Sequence, residues 1–360
     1  MLREYRRALM RMRPPVTLLA LALLAALVVP GWLSQRTAAA EELKRPVAVM
    51  FTLDRPLDGS MAPVALAAGH GLFGAEGVTV TITTAKGSPD AIARVASGES
   101  DIALADINEL IRYRDSGGSQ PVKAVFVLFN KAPYAIIARK SRGIHGLADV
   151  DGKTLGVAEG DLSIRLWPAI ARYNHLKPET IKLARVGAAV REPILSAGQV
   201  DAVSGFSYLS AINLRDRGVP AADLAVLRFA DFGCEAYGHA VIVNPGFAAK
   251  QPAAVRGFLR ALTSGLQLAI KDPAAAIPDV VSRMEDGSRE LELERLQTVL
   301  ADNVLTSDVR RDGIGGIDPA RFERALDQIG DDFKFHHKRP QPADIFDDSF
   351  LPPADSRLVN

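Results

Sequence analysis

Gly87-Ser-Pro-Asp-Ala-Ile-Ala-Arg-Val-Ala-Ser-Gly98-Glu-Ser-Asp101-Ile-Ala-Leu104 is answered one hundred residues later by Gly187-Ala-Ala-Val-Arg-Glu-Pro-Ile-Leu-Ser-Ala-Gly198-Gln-Val-Asp201-Ala-Val-Ser204. Each stretch reads as a loop glycine, a short helix, a glycine ending that helix in the left-handed region, and a brief apolar strand. A strand-like run precedes each, residues 78–84 and 180–186. A strand–helix–strand unit used twice predicts two similar α/β lobes. Facing lobes enclose a cleft, and a cleft implies a ligand.

Working outward, residues 47–53, 101–105, 122–129 and 236–243 supply further strands for the first lobe. Residues 134–138, 153–158, 201–204 and 224–229 supply those of the second. The chain is thus read as lobe 1 over 45–133 and 236–335, lobe 2 over 134–235, and a proline- and acid-rich tail over 338–360. Residues 252–270 place Val255, Phe258, Leu259, Leu262, Leu266 and Ala269 on one helical face, and further helices are predicted over 290–303 and 319–330. Ser88 before Pro89 predicts an N-cap, and Asp106 predicts another.

Residues 1–13 carry five arginines and one acid, residues 16–29 are almost wholly apolar, and Thr37-Ala-Ala-Ala40 offers small residues for cleavage. This predicts a signal peptide over 1–40, cleaved near Ala40, and a periplasmic protein; an uncleaved anchor is the alternative. Residues 1–40 hold six arginines and one glutamate, so the remainder keeps 37 basic and 41 acidic side chains, a net charge of −4. That balance gives no basic surface for nucleic acid. The single cysteine, Cys234, allows no internal disulfide, so the core alone must hold an exported fold together.

Gly69-His-Gly-Leu-Phe-Gly74 matches a dinucleotide-binding string, but a helix precedes it and a strand follows. A phosphate site needs the reverse order, so no cofactor is expected. Histidines 70, 145, 175, 239, 336 and 337 form no i, i+4 pair, and no metal is expected either. In sheets of this kind ligands lie beyond the carboxyl ends of the strands. The first lobe therefore offers Asp54, Arg55, Ser88, Asp106 and Asn108, and the second Glu159, Asp161, Ser163, Phe206 and Tyr208. Tyr134, Glu235 and Tyr237 stand near the crossings between lobes. Each also has a plainer role as cap, turn or core residue.

The ordered stretches Ala62-Pro-Val-Ala-Leu-Ala-Ala-Gly-His-Gly-Leu-Phe-Gly-Ala-Glu-Gly-Val-Thr-Val80, Leu147-Ala-Asp-Val-Asp-Gly-Lys-Thr-Leu-Gly156, Ala197-Gly-Gln-Val-Asp-Ala202 and Tyr237-Gly-His-Ala-Val-Ile-Val243 resemble the periplasmic solute-binding proteins of ABC importers. Within these the chain is similar to the nitrate/sulfonate/taurine and thiamine-precursor group. The resemblance implies a type II periplasmic-binding fold, mixed mostly parallel sheets flanked by helices, and a monomer that closes on a small solute and presents it to a membrane permease. Pyrimidine synthases of the thiamine-precursor branch carry a cysteine-rich motif. Cys234 alone does not supply it, and the expectation is a binding protein that makes and breaks no bond. Helix starts at Ser88 and 161–163, with Arg55 or Arg165, suit a sulfonate or carboxylate. Asp54, Asp106, Glu159, Asp161 and Glu235 suit an amine, so an aminosulfonate or an aminopyrimidine-like ring fits both sets. An enzyme or a membrane-tethered sensor on the same fold is the competing reading.

Overall fold

Strand β1 (Val47–Leu53) pairs in parallel with β2 (Val78–Thr84) along its whole length, from Val47 opposite Val78 to Leu53 opposite Thr84. On its other side it pairs in parallel with β3 (Ile102–Asp106). The structure is a computed structural model describing residues 45–118 and 120–359. The signal peptide expected over 1–40 lies outside the described residues. Strands β4 (Lys123–Val127), β5 (Tyr134–Arg139), β6 (Thr154–Ala158), β7 (Lys182–Val186), β8 (Ala202–Phe206), β9 (Leu224–Arg228) and β10 (His239–Val243) complete two five-stranded sheets.

The sheets have the same plan. Their strand orders are β2-β1-β3-β10-β4 and β7-β6-β8-β5-β9. In each, the reversed strand is the fourth, antiparallel to both neighbours, and it is the first strand formed after the chain crosses over. Four strands therefore run one way and one runs back. Helices cover both faces, as parallel neighbours joined by crossovers require.

The repeated stretch is copied down to single contacts. Asp101 Oδ2 accepts from Met50 N at 2.8 Å, and Asp201 Oδ2 accepts from Thr154 N at 2.8 Å. Each aspartate thus fastens its strand to the start of the adjacent one. Gly98 and Gly198 end their helices at φ of 82° and 76°, where any side chain would be strained.

The copies diverge where proline sits. Gly87 N-caps the helix Ser88–Ser97, with Pro89 in its first turn. In the second copy proline comes four residues later, at Pro193. The expected helix over 188–197 is instead a 3-10 turn, Ala188–Val190, followed by the helix Arg191–Ser196. Proline fits only the first helical turn, so its position fixes where each helix begins. Ser88, expected as the cap, lies inside the helix instead.

The first sheet separates two cores. Ala103, Ala105, Ala240 and Ile242 pack with the helices Ile107–Asp115 and Pro319–Phe333, through Leu110, Ile111, Phe322 and Leu326. Ile102, Leu104, Val241 and Val243 pack with the helices Pro252–Lys271 and Arg289–Val299, through Phe258, Leu262, Leu296 and Val299. Phe258 stacks on Phe73 and meets Phe51 edge-on, with centroids 5.0 and 4.9 Å apart. The tail packs beside β4: Phe346 pairs with Ala124, and Asp347 N donates to Ala124 O at 2.9 Å. Among the described residues no helix is long and apolar enough to cross a membrane.

Candidate functional site

A cavity of about 380 Å³ opens between the sheets, beyond the carboxyl ends of β1, β2, β6 and β8. Asp54, Arg55, Lys86, Ser88 and Pro89 form its first-lobe wall, and Glu159, Asp161, Leu162, Arg191, Phe206 and Leu209 are among those forming the second. A larger cavity of about 650 Å³ lies elsewhere, between the tail residues Gln341–Arg357 and the stretch around Asp308–Asp318. It draws nothing from the second sheet. The smaller cavity is the candidate because both lobes build it.

The first-lobe wall is a buried network. Asp54 ends β1; its Oδ2 accepts from Ser88 Oγ at 2.7 Å and lies 2.8 Å from His239 Nε2. Burial pushes the Asp54 carboxyl up, but His239 and Arg55 facing it outweigh that and hold it well below the ordinary carboxylate range. Asp54 is therefore ionised within the wall. Ser88 Oγ also accepts from Asp106 N at 3.0 Å, tying β1 to the end of β3. Arg55 reaches across to the second lobe: Nη2 donates to Tyr208 Oη, and its guanidinium lies 5.7 Å from the centroids of both Phe206 and Tyr208. Its Nη1 lies 2.9 Å from His239 Nε2. That nitrogen stands between a carboxylate and a guanidinium, so its proton decides which of them it bonds. Burial raises the Tyr208 hydroxyl, against the pull of Arg55, and keeps it a neutral acceptor.

The second-lobe wall is a network of its own: Arg191 Nη2 pairs with Glu192 Oε1 at 2.8 Å and donates to Ser210 Oγ at 3.1 Å. Asp161 Oδ2 accepts from Ser204 Oγ at 2.6 Å and lies 3.5 Å from Arg191 Nη1, while Oδ1 accepts from Ser163 N at 2.9 Å. Ser163 Oγ donates to Gly205 O at 2.9 Å, which fixes this turn to β8 behind the wall. Glu159 is exposed on the rim.

Not every residue named from the sequence lines the cavity. Asp106 caps the helix Ile107–Asp115 through Oδ1, and its Oδ2 accepts from Tyr134 Oη at 2.6 Å. Asn108 Nδ2 donates to Asp106 Oδ1, Tyr134 Oη and Tyr237 O. Asp106, Asn108 and Tyr134 thus satisfy one another behind the wall, and burial beside Asp106 raises the Tyr134 hydroxyl well above its usual range. Tyr208 and Ser163 also stand behind the wall. Glu235 faces the other way, 3.1 Å from Arg324 Nε. Tyr237 accepts from Asp318 N, with Arg321 packed 4.1 Å over its ring. Both lie on the crossing stretch; Tyr237 is buried against Phe322 in the first-lobe core, and neither lines the cavity. Lys86, Arg191 and His239 belong to the site but did not emerge from the sequence. Lys86 was legible as the neighbour of Gly87; Arg191 was hidden by the expected helix, and His239 by a strand whose inward face periodicity alone does not reveal.

Burial pushes the lone thiol of Cys234 up to about 11, so it stays protonated and unreactive. Among the described residues no group of three His, Cys, Asp or Glu side chains is placed to hold a metal.

The family profile described as NMT1/THI5 like matches residues 59–276, more than half the chain. This chain belongs to that family. Two curated relatives of this NMT1/THI5-like protein are named 4-amino-5-hydroxymethyl-2-methylpyrimidine phosphate synthase. The one from Schizosaccharomyces pombe is 26% identical over 247 residues, covering 66% of this chain and 70% of the relative. The one from Legionella pneumophila is 24% identical over 214 residues, covering 59% and 66%. The chain spans about two thirds of their length. These names overturn the expectation of a protein that makes and breaks no bond: the relatives are named for a synthase, although this chain has one cysteine.

Among solved structures, the periplasmic aliphatic sulphonate binding protein SsuA of Escherichia coli superposes with a TM-score of 0.65 at 16% identity, covering 85% of this chain and 99% of that one. A ligand binding component of an ABC-type import system from Staphylococcus aureus gives 0.65 at 14% identity, covering 86% and 99%. The fold is the two-lobe type II periplasmic-binding fold.

Proposed function

We propose that this NMT1/THI5-like protein captures a small solute bearing both an amine and an anionic group between its two lobes, in the periplasm, and presents it to the membrane permease of an ABC importer. The observation that carries this reading is the charge of the cavity wall. Asp54, Glu159 and Asp161 face Arg55, Lys86 and Arg191 around one space with the Phe206 ring at its side. A purely anionic solute would meet three carboxylates, and a purely cationic one would meet two guanidiniums and an ammonium. A zwitterion, or an aminopyrimidine with an acidic substituent, meets both sets and lays its ring on Phe206. The pyrimidine named for the relatives has this character, and neighbours of the same fold that are named for sulphonate binding support an anionic group. A solute touching both walls favours the closed arrangement by its differential affinity.

Calorimetric titration with 4-amino-5-hydroxymethyl-2-methylpyrimidine phosphate, its unphosphorylated form, taurine and a simple alkanesulfonate tests this. Saturable one-to-one binding of the amine-bearing anions, lost in Arg191→Ala, is expected. Equal or tighter binding of the simple alkanesulfonate contradicts the reading. Mass spectrometry of the recovered solutes, run alongside, reports any turnover in the cleft.

A further inference from the structure

Outside the crossing stretch 229–238, where Arg321 and Arg324 of the first lobe pair with Glu235, four ion pairs join the lobes among the described residues, and in these four the cation stands on the second lobe. Arg165 faces Glu109 at 3.6 Å, and Arg172 faces Asp331 at 3.9 Å. Arg215 meets Glu294, and Arg228 meets Asp302 at 2.5 Å. The first two carboxylates lie on helices packed on one face of the first sheet. Glu294 lies on the helix packed on the opposite face, and Asp302 on the π-helical turn Leu300–Val304 that continues it.

We propose that these pairs form an electrostatic clamp, one jaw on each face of the molecule, that holds the lobes together and loosens as salt rises. The partial exposure makes it reversible. The Arg172 and Asp331 side chains are 48% and 64% exposed and those of Arg215 and Glu294 37% and 31%, so opening returns them to water at little cost. While both partners are charged, each such pair shifts the closed-to-open ratio roughly 1.5- to 5-fold, so together they are decisive without being permanent.

Small-angle X-ray scattering of the whole solute-free protein tests the clamp, and the solute plays no part in it. The radius of gyration is expected to rise between low salt and about 1 M sodium chloride, where screening shortens to ~3 Å. Arg172→Glu with Arg215→Glu, one reversal on each face, is expected to give the larger radius already at low salt. Adding Glu294→Arg and Asp331→Arg, which restores both pairs with reversed sign, is expected to return the small radius. A radius unmoved by salt overturns the proposal, as does a fourfold variant as open as the double one. Should the double variant not fold, the salt series on the unaltered protein decides alone. Failure of every solute in calorimetry leaves this result standing, and failure here leaves the binding reading standing.

Discussion

The two walls of the cleft are built from copies of one unit yet are held by different partners. On the first lobe Asp54, Ser88, Asp106, His239 and Arg55 lock into one network, with His239 and Asp106 fully buried. On the second, Arg191 joins Asp161, Glu192 and Ser210, its side chain 15% exposed against 17% for Arg55, and Glu159 stands exposed on the rim. The divergence begins at a proline: Pro89 starts a ten-residue helix directly at the cleft, whereas Pro193 delays its counterpart and puts Arg191 at its start. Duplication supplies two walls, and small changes at the turns give each its own ion pairs.

The comparison breaks first at Asp54. Asp54→Ala removes the carboxylate that faces both buried His239 and Arg55 and is expected to lower unfolding stability by about 3 kcal/mol, read by urea denaturation. Its folded pKa lies below the unfolded 3.8, so its contribution is complete above that pH and is lost as pH falls below it. An unchanged denaturation midpoint would show that the first wall is not a network.

Asp106→Ala comes next. It removes a helix cap and strands the Tyr134 hydroxyl and the Asn108 amide, an expected loss of about 3 kcal/mol. Thermal melting of the solute-free protein checks it. An unaltered melt together with weaker solute binding would instead make Asp106 a ligand contact.

Glu109 sharpens the contrast through pH. Burial raises its carboxyl to about 7, with Arg165 only partly offsetting this and Asp106 adding to it, against an ordinary 4.5. Because the folded form holds this proton more tightly than the unfolded chain, Glu109 lowers stability as pH rises from 4.5 to about 7 and adds nothing further above that. The expected size is about 3 kcal/mol. The difference in stability between the wild type and Glu109→Gln should change across that window; a constant difference would contradict it.

Glu159→Ala is the smallest. An exposed side chain on the rim should alter stability by less than about 0.5 kcal/mol. Any weakening of solute binding without a change in melting then marks Glu159 as contact rather than scaffold.

Much of this was legible in the residues. Strand-forming runs, the paired helix-ending glycines and the aspartates at 101 and 201 follow from local chemistry repeated twice, and local chemistry is what a sequence displays. The wall was harder. Asp54, Arg55, Ser88, Glu159, Asp161 and Phe206 sit at strand ends, where the rule for open sheets points. Whether Tyr134 or Tyr237 turns into the cleft depends on partners distant in sequence, Asp106 for one and Asp318 for the other, and no spacing announces them. His239 is the clearest case, since its site role exists only through residues 184 and 185 positions away.

Hydrogen exchange with and without the aminopyrimidine phosphate tests the central claim most directly. Slower exchange is expected together at residues 54–55 and 86–91 of the first lobe and at 159–163 and 206–209 of the second. Protection confined to one lobe, or to the cavity beneath the tail, would contradict it.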